Sequence, residues 1–60
     1  MIKFTNYCKE KQITESKIAE LLKISVQSAG DKMDGKEPFT LEQVKDICTY
    51  FQISADEYFF

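Results

Sequence analysis

The chain has 60 residues, enough for one domain near the size at which small folds begin to need staples. It contains no histidine, and its two cysteines, Cys8 and Cys48, lack metal-ligand spacing. A histidine general base, a zinc site and a disulfide framework therefore have no basis in the sequence. The net charge of −2 is unevenly spread, with seven lysines against five acids in residues 1–36 and Lys45 alone against five acids in residues 37–60. Such a basic front and acidic back suits a domain that turns one face to phosphate and another to solvent or a partner. The two cysteines read as small, reduced core residues.

No stretch approaches the ~20 apolar residues of a membrane span. Met1-Ile2-Lys3-Phe4-Thr5-Asn6 has neither the apolar run nor the cleavage site of a signal peptide. A soluble, cytoplasmic chain is expected.

The punctuation along the chain is helical throughout. Helix 1 is expected over 2–11, with Phe4 and Cys8 one turn apart on its inner face. Thr14 then offers an N-cap, with Ile13 and Ile18 placed as a hydrophobic staple, and helix 2 runs from Glu15 to Leu22 with Ile18, Leu21 and Leu22 inward. Ile24-Ser25 with Ala29 repeats the pattern and opens helix 3, Val26 to Met33, with Ala29 and Met33 inward. Asp34-Gly35 stops it, since glycine accepts the left-handed conformation after a helix. Phe39-Thr40 with Val44 starts helix 4, Leu41 to Phe51, whose stripe is Leu41, Val44, Ile47, Cys48 and Phe51. Ile53-Ser54 with Tyr58 starts a short helix 5, from Ala55 to about Phe59. Thr40 with Gln43 and Ser54 with Glu57 also have the spacing of a capping box. No run alternates at period two as a strand would. The fold class is all-α.

The segment from Thr14 to Lys36 carries the functional signal. Two helices of about eight residues are separated by Lys23-Ile24-Ser25, too short a link for anything but a steep crossing. Ala19 is small enough to admit the second helix, and Ile24 plugs the turn. In such a helix-turn-helix the second helix enters the major groove of DNA.

Ile13 through Ser25 resembles the second helix and turn of the Cro and lambda-repressor-like family. Met33-Asp34-Gly35-Lys36 is similar to that family's exit from the recognition helix. Phe39 through Val44, Ile47, Phe51 through Ser54 and Tyr58-Phe59-Phe60 look like its closing two helices. The likeness covers nearly the whole chain and is closest to very small phage-encoded regulators. It implies a compact five-helix domain and a cytoplasmic transcription regulator that binds a double-stranded DNA operator, usually as a homodimer and in some cases only on the DNA. Carried onto this sequence, the base-reading positions are Val26, Gln27, Ser28 and Asp31. A glutamine can make two hydrogen bonds to adenine, a valine can touch a thymine methyl, and a serine can donate or accept. The phosphate-contacting positions are Thr14, Ser16, Lys17, Lys32 and Lys36, together with helix N-terminal N–H groups.

The sequence departs from the family at several points. Glu15 places a negative charge where glutamine is common. Lys23 stands where a turn glycine is usual, which asks a lysine to adopt positive φ. Gly30 sits inside helix 3 and implies that something approaches its backbone closely. No arginine is available to read guanine. These features predict weak or strongly salt-dependent binding, or a loss of DNA binding.

Phe4, Phe39, Phe51 and one of Tyr58 or Phe59 are expected to fill the core. Tyr58, Phe59 and Phe60 cannot all face inward from one short helix, so this group is expected to supply a dimer or partner contact. The second reading is a protein-interaction module on the same fold, such as an anti-repressor that docks on another regulator. No catalytic residue, metal, cofactor, membrane or small-molecule ligand is expected, since the acids are scattered and no phosphate-binding glycine loop is present.

Overall fold

A computed structural model describes residues 2–60. Its elements in chain order are α1 (Ile2–Lys11), α2 (Glu15–Leu22), α3 (Val26–Met33), α4 (Leu41–Phe51) and α5 (Ala55–Tyr58). All described elements are helices, and the expected all-α class and order are observed.

Local capping explains where each helix begins. Thr14 and Ser25 are extended, and each hydroxyl accepts a backbone N–H three residues on, from Lys17 at 3.2 Å and from Ser28 at 3.0 Å. Thr40 does the same for Gln43, whose side-chain oxygen accepts the Thr40 N–H in return, so the expected capping box forms at α4. The capping box expected at Ser54 does not form. Ser54 makes no side-chain cap bond, and its ψ of 130° departs from the 163°, 156° and 162° of Thr14, Ser25 and Thr40. Helix α5 runs from Ala55 to Tyr58, close to the expected end at about Phe59.

The helix ends obey one device used four times. A residue with positive φ closes the last turn: Gln12 (59°), Lys23 (60°), Gly35 (84°) and Gln52 (58°). The N–H of the next residue then reaches back five residues to a helix carbonyl. Ile13 donates to Cys8, Ile24 to Ala19, Lys36 to Asp31 and Ile53 to Cys48, at 2.8, 3.0, 2.8 and 3.1 Å. These are Schellman ends, which satisfy carbonyls that the helix leaves unpaired. At three of them the residue after the turn is an isoleucine packed on the core, with the next Thr or Ser cap immediately behind it. A left-handed residue, an isoleucine and a hydroxyl thus stand between one helix and the next at all three places.

The core is Phe4, Cys8, Ile18, Ala19, Ala29, Met33, Phe39, Val44 and Ile47. Phe4 lies at its centre, with its ring 4.8 Å from that of Phe59 and 5.7 Å, edge-on, from that of Phe39. Leu21 and Leu22 are half-buried against this core. Leu41, expected inward, is 65% exposed. It is the first residue of α4, and its side chain looks out over the edge of the bundle. Tyr58 and Phe59 both turn to the core, where Tyr58 meets the Tyr7 ring at 5.0 Å and Phe59 meets Phe4 and Phe39. Cys8 and Cys48 are unpaired thiols. Among the described residues no helix is long and apolar enough to cross a membrane.

Candidate nucleic-acid interface

Among the described helices α2 and α3 share the most extensive contact. Ala19 is buried at their crossing, and Ile24 seals the turn against the core. The strained turn residue is Lys23, in the left-handed conformation expected of it. Its position also leaves its side chain exposed at the junction of the two helices, so this turn residue is an exposed cation beside the candidate interface, one that sequence reasoning did not place there.

The outer face of α3 starts with Val26, 48% exposed, and Gln27, also exposed. Ser28 and Asp31 are placed on the same helix, and both are half-buried. The Ser25 hydroxyl occupies the Ser28 N–H, so the first two N–H groups of α3 remain directed out of the helix end. The first turn of α3 carries no acid. This end offers an apolar contact, an amide and uncompensated donors at one place.

Helix α2 contributes a mixed set. Thr14 and Ser16 are exposed, with the Thr14 hydroxyl already accepting the Lys17 N–H. Lys17 is half-buried, and its Nζ lies 4.9 Å from the centre of the Tyr50 ring on α4. A hydrogen bond with the Tyr50 side chain, assisted by nearby negative charge, raises its pKa above the ordinary lysine value. Glu15 lies at the start of α2, where a carboxylate is favoured by the helix dipole. Its carboxyl group also lies against Gly30. A Cβ on Gly30 would come within 2.9 Å of the Glu15 carboxylate, so the bare backbone of α3 gives that group its place. The approach inferred from a glycine inside α3 is thus made by a side chain of α2.

The geometry commits one of the expected phosphate-contacting residues to other partners. Lys32 is 6% exposed, and its Nζ donates to the Pro38 carbonyl at 2.9 Å, lies 3.8 Å from the Glu37 carboxylate and rests over the Phe39 ring. It straps the loop after α3 to the core. Its commitment arises because Gly35 turns the chain back over the end of α3, a contact six residues away that no local pattern announces. Lys36, just beyond that turn, is exposed. The exposed cations close to α3 in the chain are therefore Lys23 and Lys36, against Glu15 and a half-buried Asp31. Of the three aromatics expected at a partner contact, Phe60 alone is exposed.

An all-helical domain whose second and third helices cross over a sealed turn, with polar groups at the head of the third, belongs to the helix-turn-helix class. The BetR domain family model matches residues 3–60, and the chain belongs to that family, which is associated with helix-turn-helix regulators. No curated protein and no solved structure matches the chain.

Proposed function

We propose that this domain is a sequence-specific, double-stranded DNA-binding transcriptional regulator of Cro-like type, with α3 lying in the major groove. The observation that supports it best is the head of α3, where exposed Val26 and Gln27 sit beside unpaired N–H groups on a helix fixed by a buried crossing. In this reading Gln27 pairs with adenine and Val26 covers a thymine methyl, which favours an A·T-containing half-site. Ser28 adds a hydroxyl at the rim. Lys23, Lys36 and the two helix N-termini hold phosphates and set the register. Lys17 reaches the backbone only by leaving Tyr50. A second copy would meet the first on an adjacent half-site, held by the DNA, because Tyr58 and Phe59 are committed to the core. Occupancy of the operator then blocks or modulates transcription.

The test is an anisotropy titration of the protein into its own upstream region and into an unrelated duplex at two salt concentrations. Tighter binding to the first is expected, with affinity falling log-linearly with salt at a slope of about −0.9 per phosphate contacted. Gln27→Ala should cost about 1–3 kcal/mol on the preferred duplex and little on the other. A Lys23→Glu, Lys36→Glu double variant that kept full affinity would overturn the proposal.

A further inference from the structure

Two lysines of the helix-turn-helix rest over aromatic rings, and they are held to different degrees. Lys32 is buried under three partners, the Pro38 carbonyl at 2.9 Å, the Glu37 carboxylate at 3.8 Å and the Phe39 ring at 6.0 Å. Lys17 has a nearer ring and fewer partners. Its Nζ lies 4.9 Å from the centre of the Tyr50 ring, and among the described residues no carboxylate lies within ion-pair distance of it. Tyr50 is itself 51% exposed.

This contact joins α2 to α4. Lys17 and Leu21 are one turn apart on α2 and so share a face of that helix. Leu21 and Tyr50 both line a cleft of about 440 Å³, together with Lys23, Asp46 and Thr49. The face of α2 that carries Lys17 is thus turned toward α4, and the Phe51 ring, edge-on at 5.0 Å, steadies the Tyr50 ring that receives the ammonium.

The placement matters for phosphate. Lys17 lies in the first turn of α2, three residues after the exposed Thr14, at the end of the helix that faces the DNA backbone in the reading above. A lysine is a point charge on a flexible stem, free to meet any anion within its reach. Folded onto Tyr50, that charge is directed to α4 instead. A ring attracts a cation without carrying a net charge, so at an exposed site the bias it exerts is about two- to fivefold. That bias holds the lysine on the ring most of the time, without fixing the chain as Lys32 does.

We propose that Tyr50 is a positioning residue of the DNA interface, parking the Lys17 ammonium against α4 so that one phosphate contact is withheld. This role rests on the DNA reading of α2 and α3. It makes the contact between α2 and α4 a brake on affinity, and it leaves Lys23 and Lys36 to carry the side-chain contacts to the backbone.

The experiment compares the parent, Tyr50→Leu, Lys17→Gln and the double variant on the upstream duplex and the unrelated duplex at several salt concentrations. Tyr50→Leu should bind both duplexes about two- to fivefold more tightly, because a phosphate contact carries no sequence information. Its salt slope should steepen by about 0.9, the value of one added phosphate. Lys17→Gln should leave the parent's slope unchanged and abolish the gain in the Tyr50→Leu background. In the parent, nuclear Overhauser contacts between the Lys17 Cε protons and the Tyr50 ring should be present in the free protein and persist when DNA saturates it. Affinity unchanged or lowered by Tyr50→Leu, a gain that survives in the double variant, or a slope flattened by Lys17→Gln alone would each overturn the proposal. So would the loss of the Overhauser contacts on DNA, a readout that needs no variant to fold. Overhauser contacts in a parent that binds neither duplex would overturn the DNA reading and this role with it, whereas DNA binding without those contacts would overturn this role alone.

Discussion

The junctions before α3 and before α5 are built to the same local plan and end differently. Each has a left-handed residue, an isoleucine on the core and a serine: Lys23-Ile24-Ser25 and Gln52-Ile53-Ser54. After the first, Ser25 caps a helix of eight residues that buries Ala29, Gly30, Lys32 and Met33. After the second, Ser54 makes no cap bond, and the helix ends after four residues with none of them buried. Capping grammar therefore starts a helix but does not extend it. Extension comes from a face that can be buried, because the helix nucleus is unfavourable until tertiary packing compensates for it. Tyr58 and Phe59, at the end of α5, join an aromatic cluster, and ring contacts take over from backbone ladders in holding that end.

The sharpest contrast between the two regions is between phenylalanines. Phe4 is fully buried where rings from three segments meet, whereas Phe60 faces water. Phe4→Ala should lose about 3–5 kcal/mol, comparable with the entire stability of a domain this size, and leave the chain unfolded at room temperature by circular dichroism. Phe60→Ala should stay within about 0.5 kcal/mol of the parent in denaturant. Similar losses in the two would mean that the α5 end is packed far more tightly than its exposure indicates. The cysteines repeat the contrast by titration. Burial pushes the Cys8 thiol from 9.0 up to about 11, and raises half-buried Cys48 as well. A raised thiol pKa means that the native state holds its proton more tightly than the unfolded chain. The stability Cys8 contributes is thus complete below pH 9 and lost as pH climbs toward about 11. Unfolding midpoints of the parent should fall over that interval more steeply than those of Cys8→Ala.

The fold was largely legible because its signals are local. Hydroxyl caps and the apolar residues before them lie within four residues of the helix starts they define, and the starts of α2, α3 and α4 are set by them. Gln12 and Gln52 were not legible as left-handed, since glutamine has no turn signature; the readable signal was the isoleucine and hydroxyl after each. The candidate interface was legible where it depends on helix phase, as at Val26 and Gln27, and illegible where it depends on contacts between elements. Lys32 looks like a surface lysine until the Gly35 turn brings the Pro38 carbonyl to it. Leu41 fits the apolar stripe of α4 but lies at its first position, beyond the edge of the packed core. Glu15 and Gly30 are two oddities in sequence and one contact in space.

The caps give a finer version of the comparison between junctions. Ser25→Ala removes a bonded cap from α3 and should cost about 1 kcal/mol. Ser54→Ala removes a hydroxyl that caps nothing and should cost less than about 0.5 kcal/mol. The pair is measured by urea unfolding at constant m-value. A Ser54→Ala loss as large as that of Ser25→Ala would mean that the α5 cap closes in solution, and the two junctions would then differ only in the helices they lead into.

The smallest effect tests whether the turn itself is strained alike in both places. Lys23 and Gln52 have φ of 60° and 58° with ψ of 45° and 49°, so their backbones are nearly superimposable. A side chain in this conformation costs about 1–2 kcal/mol relative to the right-handed region, a cost that glycine does not carry. Glycine in turn gives the unfolded chain more freedom, which takes back about 0.4–1 kcal/mol. The balance for Lys23→Gly and for Gln52→Gly is a gain of about 0.5 kcal/mol each, the same at both junctions because the strain is set by the turn and not by the helix after it. Lys23→Gly also removes an exposed cation beside α3, so its DNA affinity should fall and its salt slope flatten while its stability rises. Gln52→Gly should leave DNA binding unchanged. Equal gains in stability with unequal effects on DNA would place the difference between the two regions in the side chains they present, on a backbone common to both.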